Sequence, residues 1–154
     1  MAKIPEDVEK FLSRKRIAVA GVSRHSGEAA NAVYRKLRGA GYEIFPINPN
    51  ATEVEGARCY PDLFAVPDAV EAVVIATRPG VSVEVVRQCS QLGVDLVWFH
   101  RSFGEGSVSE QAVRECEARG IRCIVGGCPL MYCEPVDFGH RCMRWVLTLK
   151  GRVP

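Results

Sequence analysis

The residues most suited to chemistry follow the first apolar run of the chain. Ile17–Val22 is almost entirely apolar, and Ser23 and Arg24 come directly after it, so that the sequence from Gly21 reads Gly-Val-Ser-Arg. Gly21 permits a tight turn, Ser23 offers a hydroxyl and a backbone N–H, and Arg24 adds a positive charge. This pattern predicts a phosphate-binding loop, although the spacing alone is also typical of a purely structural turn.

The end of the second apolar run distinguishes between classes of nucleotide. An NAD site places an acidic side chain there to bind the ribose hydroxyls. In this chain Glu43–Ile47 is followed by Asn48 and Pro49, and its acidic residue lies at the beginning of the run. NAD is therefore disfavoured, and Pro49 predicts a rigid wall beside which the Asn48 amide can face a ligand. An NADP site that uses nearby arginines stays open as an alternative.

Further candidate ligand-binding residues lie where the third and fourth apolar runs end. They are Thr77, Arg78 and Pro79 after the third run, and Trp98, Phe99, His100 and Arg101 around the end of the fourth. Arginines at neighbouring strand ends bind phosphate groups through charge-assisted hydrogen bonds. We expect Arg24, Arg78 and Arg101 to reach one cleft, whereas aromatic residues such as Trp98 and Phe99 are also typical of a core.

Apolar runs that alternate with helical patterns predict the elements that position these residues. Five runs suit strands of a parallel sheet that is buried on both faces: Ile17–Val22, Glu43–Ile47, Ala72–Thr77, Leu96–His100 and Arg122–Val125. Helical spacing predicts helices over Ala29–Ala40, Val81–Leu92, Ser107–Arg119 and Phe138–Leu149. Ser107 and Glu110 have the spacing of a capping box. The alternation predicts an α/β fold with a doubly wound, mostly parallel sheet of about five to six strands in a single domain.

Two segments depart from this alternation. Prolines between the second and third runs leave room for a short strand near Arg58–Tyr60 and one helical turn at Asp62–Ala65. After a core over about residues 10–128, we expect a C-terminal loop and helix over 129–150. That helix is amphipathic, and we expect it to pack on the domain or on a second subunit, which would make a homodimer.

Charge and cysteine content exclude several classes of protein. The net charge is +2 with no block of like charges, which disfavours a nucleic-acid or membrane surface. No run approaches the ~18 apolar residues of a membrane span, and the N-terminal sequence has no signal-peptide pattern, so we expect a cytoplasmic protein. Seven cysteines without a C-x-x-C pair are typical of buried thiols in a reducing compartment, and they predict no metal site.

The order of several short motifs resembles a known family. They are GVSR, GYEIFPINPN, EGARCYPDL, EAVVIATRP, GVDLVWFH and GIRCIVGGCPLMY. Together, over about residues 10–132, they resemble the small stand-alone CoA-binding-domain proteins, which are similar to the nucleotide-binding first domain of the succinyl-CoA synthetase α subunit. The resemblance implies a Rossmann-like fold flanked by helices and a site for coenzyme A or an acyl-CoA.

The resemblance also assigns parts of the ligand to positions in this chain. It implies that the diphosphate is held by Gly21, Val22, Ser23 and Arg24, and that the ribose and its phosphate lie near Asn48 and Pro49. It further implies that the adenine lies beside Thr77, Arg78 and Pro79. The pantetheine arm would then lie beside Trp98, Phe99 and His100. The phosphorylated histidine of the synthetase belongs to a second domain, and none of the three histidines in this sequence resembles its motif.

We therefore expect a binding module, regulatory or carrier in role, without catalysis of its own. Two alternatives from other classes stay open. One is an enzyme that acts on a CoA thioester with Cys128 as the nucleophile, because Cys128 follows Gly126-Gly127 at a predicted strand end, where backbone N–H groups would lower its pKa. The other is an interaction protein that dimerises through its C-terminal helix.

Overall fold

The centre of the molecule is a sheet of five parallel strands, seen in a computed structural model that describes residues 3–101 and 106–154. In chain order the strands are β1 (Arg16–Ala20), β2 (Glu43–Ile47), β3 (Glu53–Val54), β4 (Ala57–Arg58), β5 (Ala72–Ile75), β6 (Leu96–Phe99) and β7 (Arg122–Val125). The sheet has the order β2-β1-β5-β6-β7, and β3 and β4 pair with each other as an antiparallel hairpin. Chain order therefore reverses between β1 and β5, the place where open α/β sheets bind ligands at the carboxyl ends of their strands.

Helices cover both faces of this sheet. They are α1 (Glu6–Leu12), α2 (Ala29–Gly39), α3 (Pro79–Leu92), α4 (Glu110–Ala118) and α5 (Phe138–Leu149), with short 3-10 turns at Leu63–Ala65 and Pro129–Met131. Alternate residues of each strand enter two apolar clusters, one with α1, α2 and α5 and the other with α3 and α4. The protein thus has the Rossmann-like α/β fold predicted from the sequence. Within the described residues, no helix is long and apolar enough to cross a bilayer.

Strand and helix ends differ from the prediction at several positions. Val22, Thr77 and His100 follow their strands instead of ending them, so each belongs to a loop at the carboxyl edge. Helix α3 begins at Pro79 rather than Val81, since proline is well suited to the first helical position. Helix α1, strand β3 and the pairing of β3 with β4 were not predicted, whereas β4 overlaps the short strand expected near Arg58–Tyr60 and the 3-10 turn at Leu63–Ala65 lies within the helical turn expected at Asp62–Ala65.

The predicted capping box of Ser107 and Glu110 is wrong. Helix α4 begins at Glu110, and its cap is Ser109, whose hydroxyl accepts a hydrogen bond from the Ala112 N–H at 3.3 Å. Ser107 is instead buried, and its hydroxyl donates to the carbonyl oxygens of Ile75 and His100. Those contacts tie the ends of β5 and β6 together.

Gly21 determines how closely the end of β1 approaches β5. Its φ is +101°, and a Cβ at this position would lie 2.4 Å from the Ala76 carbonyl oxygen. Such a contact is far shorter than real Cβ atoms tolerate, and the backbone of Ala76 is held by a hydrogen bond from its N–H to Ala20. No side chain fits at Gly21 without moving one strand end away from the other.

We expect Gly21→Ala to lower the free energy of unfolding by about 3 kcal/mol or more, because positive φ and backbone overlap both oppose the side chain. Gly27→Ala in the same loop is the matched control. A Cβ there meets nothing within 4 Å, so a change within about 0.5 kcal/mol is expected. Urea denaturation of both variants measures the difference, and equal stabilities would contradict this account of Gly21.

Candidate functional site

The candidate site lies at the carboxyl edge, where the loop after β1 meets the end of β2. We call residues 21–28 the first loop. The Gly21 N–H donates to the Ile47 carbonyl at 3.0 Å, and the Asn48 side-chain amide donates to the Val22 carbonyl at 2.9 Å. Asn48 Oδ1 also accepts the Asn50 N–H at 2.8 Å. The Asn48 amide, expected to face a ligand, is thus engaged within the protein and fastens the first loop to β2.

Ser23 is held by an asparagine that the sequence analysis did not single out. The Ser23 N–H donates to Asn31 Oδ1 at 2.8 Å, and Asn31 Nδ2 donates back to the Ser23 carbonyl at 2.7 Å. Asn31 is buried in α2, with 1% of its surface exposed. The prediction that the Ser23 N–H is offered to phosphate is therefore wrong in this structure, since Asn31 uses it. The Ser23 hydroxyl oxygen accepts the His25 N–H at 3.0 Å and can still donate its own hydrogen.

The hairpin of β3 and β4 braces Asn31 from outside. Its turn residues Glu55 and Gly56 both have positive φ, the geometry of a tight two-residue hairpin. Glu55 Oε1 accepts hydrogen bonds from Asn31 Nδ2 at 2.8 Å and from Arg35 at 2.7 Å, and Arg35 also reaches the Ser26 carbonyl at 2.9 Å. The bond from Asn31 and the nearby guanidinium groups lower the pKa of Glu55, so its carboxylate stays charged. The first loop is consequently held at Ser23, through Asn31, and at Ser26, through Arg35.

A cleft of about 500 Å³ opens between the first loop and the segment after β2. It is lined by Arg24, Pro49, Asn50, Ala51, Thr52, Glu53, Cys59 and Pro61. Two of these, Arg24 and Pro49, were predicted from the sequence, and both are exposed. The others follow β2 or belong to the hairpin region, and none of them was predicted to line a site.

The amino-terminal ends of α2 and α3 also lie at this edge. Their N-caps, Glu28 and Arg78, form no side-chain capping bond, and neither helix has an acidic residue in its first turn. By contrast, Ser109 caps α4 and Asp137 caps α5 through their own side chains. Uncapped N–H groups carry partial positive charge, so the two helices that flank the crossover between β1 and β5 are the ones suited to an external anion.

The third strand end supplies both hydroxyl and charged groups. Thr77 Oγ1 lies 3.1 Å from Ser82 Oγ, and Ser82 in turn donates to the Ser107 carbonyl at 2.8 Å. Arg78 is exposed, and Pro79 starts α3. Thr77 is thereby fixed in place, while the Arg78 guanidinium lies at the surface.

At the fourth strand end the structure corrects part of the predicted site. Trp98 and Phe99 are completely buried, and Trp98 Nε1 donates to the Gly126 carbonyl at 2.9 Å. Trp98 also packs edge-on against Phe11, with ring centroids 5.3 Å apart. Successive side chains of a strand point to opposite faces of the sheet, and helices cover both faces at the central strand β6. Trp98 and Phe99 therefore fill the core on the two faces and do not face a cleft.

His100 and Arg101 lie beyond them and differ in orientation. Burial lowers the pKa of His100, and the neighbouring His140 lowers it further, so the His100 ring is neutral at pH 7. A Cβ on Gly126 would lie 3.1 Å from Arg101 Nη2, which places the Arg101 guanidinium against the end of β7. The expectation that Arg101 joins Arg78 and Arg24 in one cleft is not met in this structure, because Arg101 turns away from β5.

Cys128 has none of the properties of a nucleophile. It is 4% exposed, and burial raises its pKa to about 12. Val153 and Pro154 pack against the adjacent Gly127, so the end of the chain covers this position. The expectation that backbone N–H groups lower the pKa of Cys128 is wrong, since desolvation outweighs them. Among the described residues, no cluster of three or more His, Cys, Asp or Glu side chains could hold a metal ion.

Alkylation tests this account of the thiol. Iodoacetamide near neutral pH should spare Cys128 in the folded protein, because the protonated, covered thiol is unreactive. Peptide mass spectrometry measures the site, and protein unfolded in urea serves as the control in which Cys128 reacts. Modification of Cys128 as fast in the folded as in the unfolded protein would contradict its burial.

Asn31→Ala tests the bracing of the first loop. Loss of the side chain leaves the Ser23 N–H and carbonyl without their partner, which should cost about 2 kcal/mol of stability and speed hydrogen exchange at the Ser23 amide. Gln91→Ala, an exposed change in α3, is the control. Stability within about 0.5 kcal/mol of the parent, with unchanged exchange at Ser23, would show that Asn31 does not hold the loop.

The comparison with known families matches the chain over most of its length. Residues 15–134 match the sequence profile of a family described as CoA binding domain. This range contains the first loop, the hairpin and all strand ends of the candidate site.

Individual relatives and solved structures agree with this match. The chain is 32% identical over 90 residues to an ADP-forming acetate–CoA ligase II of Archaeoglobus fulgidus, a match that covers 57% of this chain and 13% of that enzyme. A hypothetical protein from Pyrococcus horikoshii OT3 superposes with a TM-score of 0.73 at 29% identity, covering 84% of this chain and 93% of that one. A dinucleotide forming acetyl-coenzyme A synthetase 1 of Ca. Korarchaeum cryptofilum, in complex with phosphate and ADP, superposes with a TM-score of 0.65 at 29% identity. This match covers 79% of the present chain and 27% of the synthetase chain. The chain thus corresponds to a small part of both enzymes.

Proposed function

Since its residues 15–134 match that profile, the chain belongs to the CoA-binding domain family, and we propose that it binds coenzyme A or an acyl-CoA at the carboxyl edge between β1 and β5. The observation that carries the proposal is the coincidence of three features at one edge. The family match covers it, the chain order reverses there, and the two flanking helices have amino-terminal ends without side-chain caps.

In this proposal the diphosphate lies against the first loop and the start of α2. Arg24 is exposed beside the cleft and forms a charge-assisted hydrogen bond with a phosphate oxygen. Gly21 and Val22 contribute backbone only, because Val22 is buried and Gly21 has no side chain. The Ser23 hydroxyl, rather than its N–H, is the group that donates to the ligand.

The adenosine part occupies the cleft between the first loop and the hairpin region. Pro49 forms one wall of this cleft, and Asn48 holds the wall against the first loop. Thr77, Arg78 and Pro79 border the ligand from the side of β5. Arg78 is the second exposed cation at this edge and suits a second phosphate group.

The pantetheine arm runs towards β6 and His100. The His100 ring is neutral at pH 7 and serves as a hydrogen-bonding partner for an amide instead of a phosphate-binding cation. Trp98 and Phe99 support this position from within the core and have no direct contact with the ligand.

The proposed role is binding without catalysis, as a regulatory or carrier module. Cys128 is covered and protonated, which argues against a thioester enzyme that uses it. The similarity to acetate–CoA ligases makes acetyl-CoA one acyl-CoA to test. The NAD(P) alternative has less support, because Asn48 stands where an NAD site needs an acid and its amide is engaged by the first loop.

Isothermal titration calorimetry with CoA, dephospho-CoA, acetyl-CoA, NAD, NADP and ATP tests the proposal. We expect saturable heat with CoA, and about tenfold or greater loss of affinity in Arg24→Gln, because a hydrogen bond to a charged phosphate is lost. Arg114→Gln is the matched control, since Arg114 is exposed on α4 and pairs with Glu110. Saturable binding of NADP without heat from CoA would refute the proposal and assign the arginines to a 2′-phosphate.

A further inference from the structure

Helix α5 exposes a continuous apolar stripe on the side that points away from the domain. Phe138 is 81% exposed, Trp145 66% and Leu149 70%, and Cys142 is also exposed. At 3.6 residues per turn these four positions fall within about 60° of the helix circumference. Leu147, which is completely buried in the core, lies on the opposite side. One side of α5 is therefore packed on the domain, and the other is left uncovered by residues 3–101 and 106–154.

The amount of apolar surface on this stripe is large for a small protein. The three large side chains together expose roughly 400 Å², taking about 200 Å² for each when fully exposed. Monomeric proteins seldom expose contiguous apolar patches larger than a few hundred Å² without a functional reason. Covering the stripe on two copies, with the side chains beside it, removes on the order of 1,200 Å², the lower end of stable protein interfaces.

The stripe is complementary to itself when two copies of α5 cross in opposite directions. A two-fold axis through the midpoint between Met143 and Arg144 sets Phe138 against the partner's Leu149. The same axis sets the small Cys142 against the partner's Trp145, so that a large side chain meets a small one. A parallel pairing would instead set Trp145 against the partner's Trp145.

The helix dipoles agree with the same two-fold axis. The axis sets the amino-terminal end of one α5 beside the carboxyl-terminal end of the partner's α5, so the two dipoles point in opposite directions and attract each other. In a parallel pairing the two dipoles would point the same way and repel each other.

We propose that this face of α5 is the interface of a homodimer, formed by two antiparallel α5 helices around that two-fold axis. Isologous pairing of this kind is the commonest arrangement of soluble homo-oligomers. The interface lies on a helix outside the proposed ligand cleft, so the dimer does not depend on the ligand. This inference therefore stands or falls separately from CoA binding.

Sedimentation equilibrium of the full chain at micromolar concentrations tests the dimer. We expect twice the monomer mass for the parent protein and the monomer mass for Trp145→Glu, with at least a hundredfold weaker dimerisation. Phe64→Glu is the matched control, because Phe64 is an exposed aromatic residue of the 3-10 turn after β4, away from α5, and this variant should remain dimeric. Circular dichroism should show unchanged folding for both, since each side chain is at least half exposed.

The pairing of Cys142 with the partner's Trp145 tests the orientation of the helices. Under mild oxidation, Trp145→Cys should form a disulfide between residue 145 of one copy and Cys142 of the other, because the antiparallel arrangement sets these positions against each other. A monomeric parent protein, or a dimer that Trp145→Glu leaves intact, would overturn the proposal. A disulfide between the two Cys142 residues in place of that one would overturn the antiparallel arrangement.

Discussion

The backbone contact between Gly21 and Ala76 is the constraint on which the candidate site depends. A parallel sheet separates β1 and β5 by one strand spacing, and their chains leave the sheet towards opposite faces. Gly21 lets the first loop turn directly over the end of β5, at a distance that a Cβ would not permit. Backbone atoms at the ends of β1 and β5 thus determine the shape of the crevice at the crossover. The side chains around the crevice only line its walls.

The first loop is held by hydrogen bonds to polar groups inside the protein. Asn31 binds both backbone groups of Ser23, Glu55 holds Asn31, and Asn48 fastens Val22 to the end of β2. Buried polar groups that are fully paired favour one conformation over alternatives. A ligand that meets such a loop encounters a surface already in place, and the groups that remain for it are Arg24, the Ser23 hydroxyl and the uncapped start of α2. Preorganisation of this kind reduces the entropy cost of binding.

Patterns that are local in sequence predicted the fold well, whereas the site depends on contacts between distant segments. Continuous apolar runs identified all five sheet strands, and Glu43–Ile47 and Arg122–Val125 were predicted with their observed ends. The predicted cap at Ser107 is wrong because its hydroxyl bonds the carbonyl oxygens of Ile75 in β5 and of His100. Spacing along the sequence does not show contacts of this kind. The buried Asn31 on the apolar side of α2 is a signal that could have been used. Its partner Glu55, on a hairpin with strands of two residues, gives no periodic pattern.

A crystal structure of the protein grown with CoA tests the central claim most directly. The account predicts the diphosphate against residues 21–24 and the first turn of α2, with the adenosine in the cleft beside Pro49. A CoA molecule bound at the amino-terminal edge of the sheet would contradict it. A depression there is lined by residues such as Leu12 and Tyr42, far from the crossover between β1 and β5.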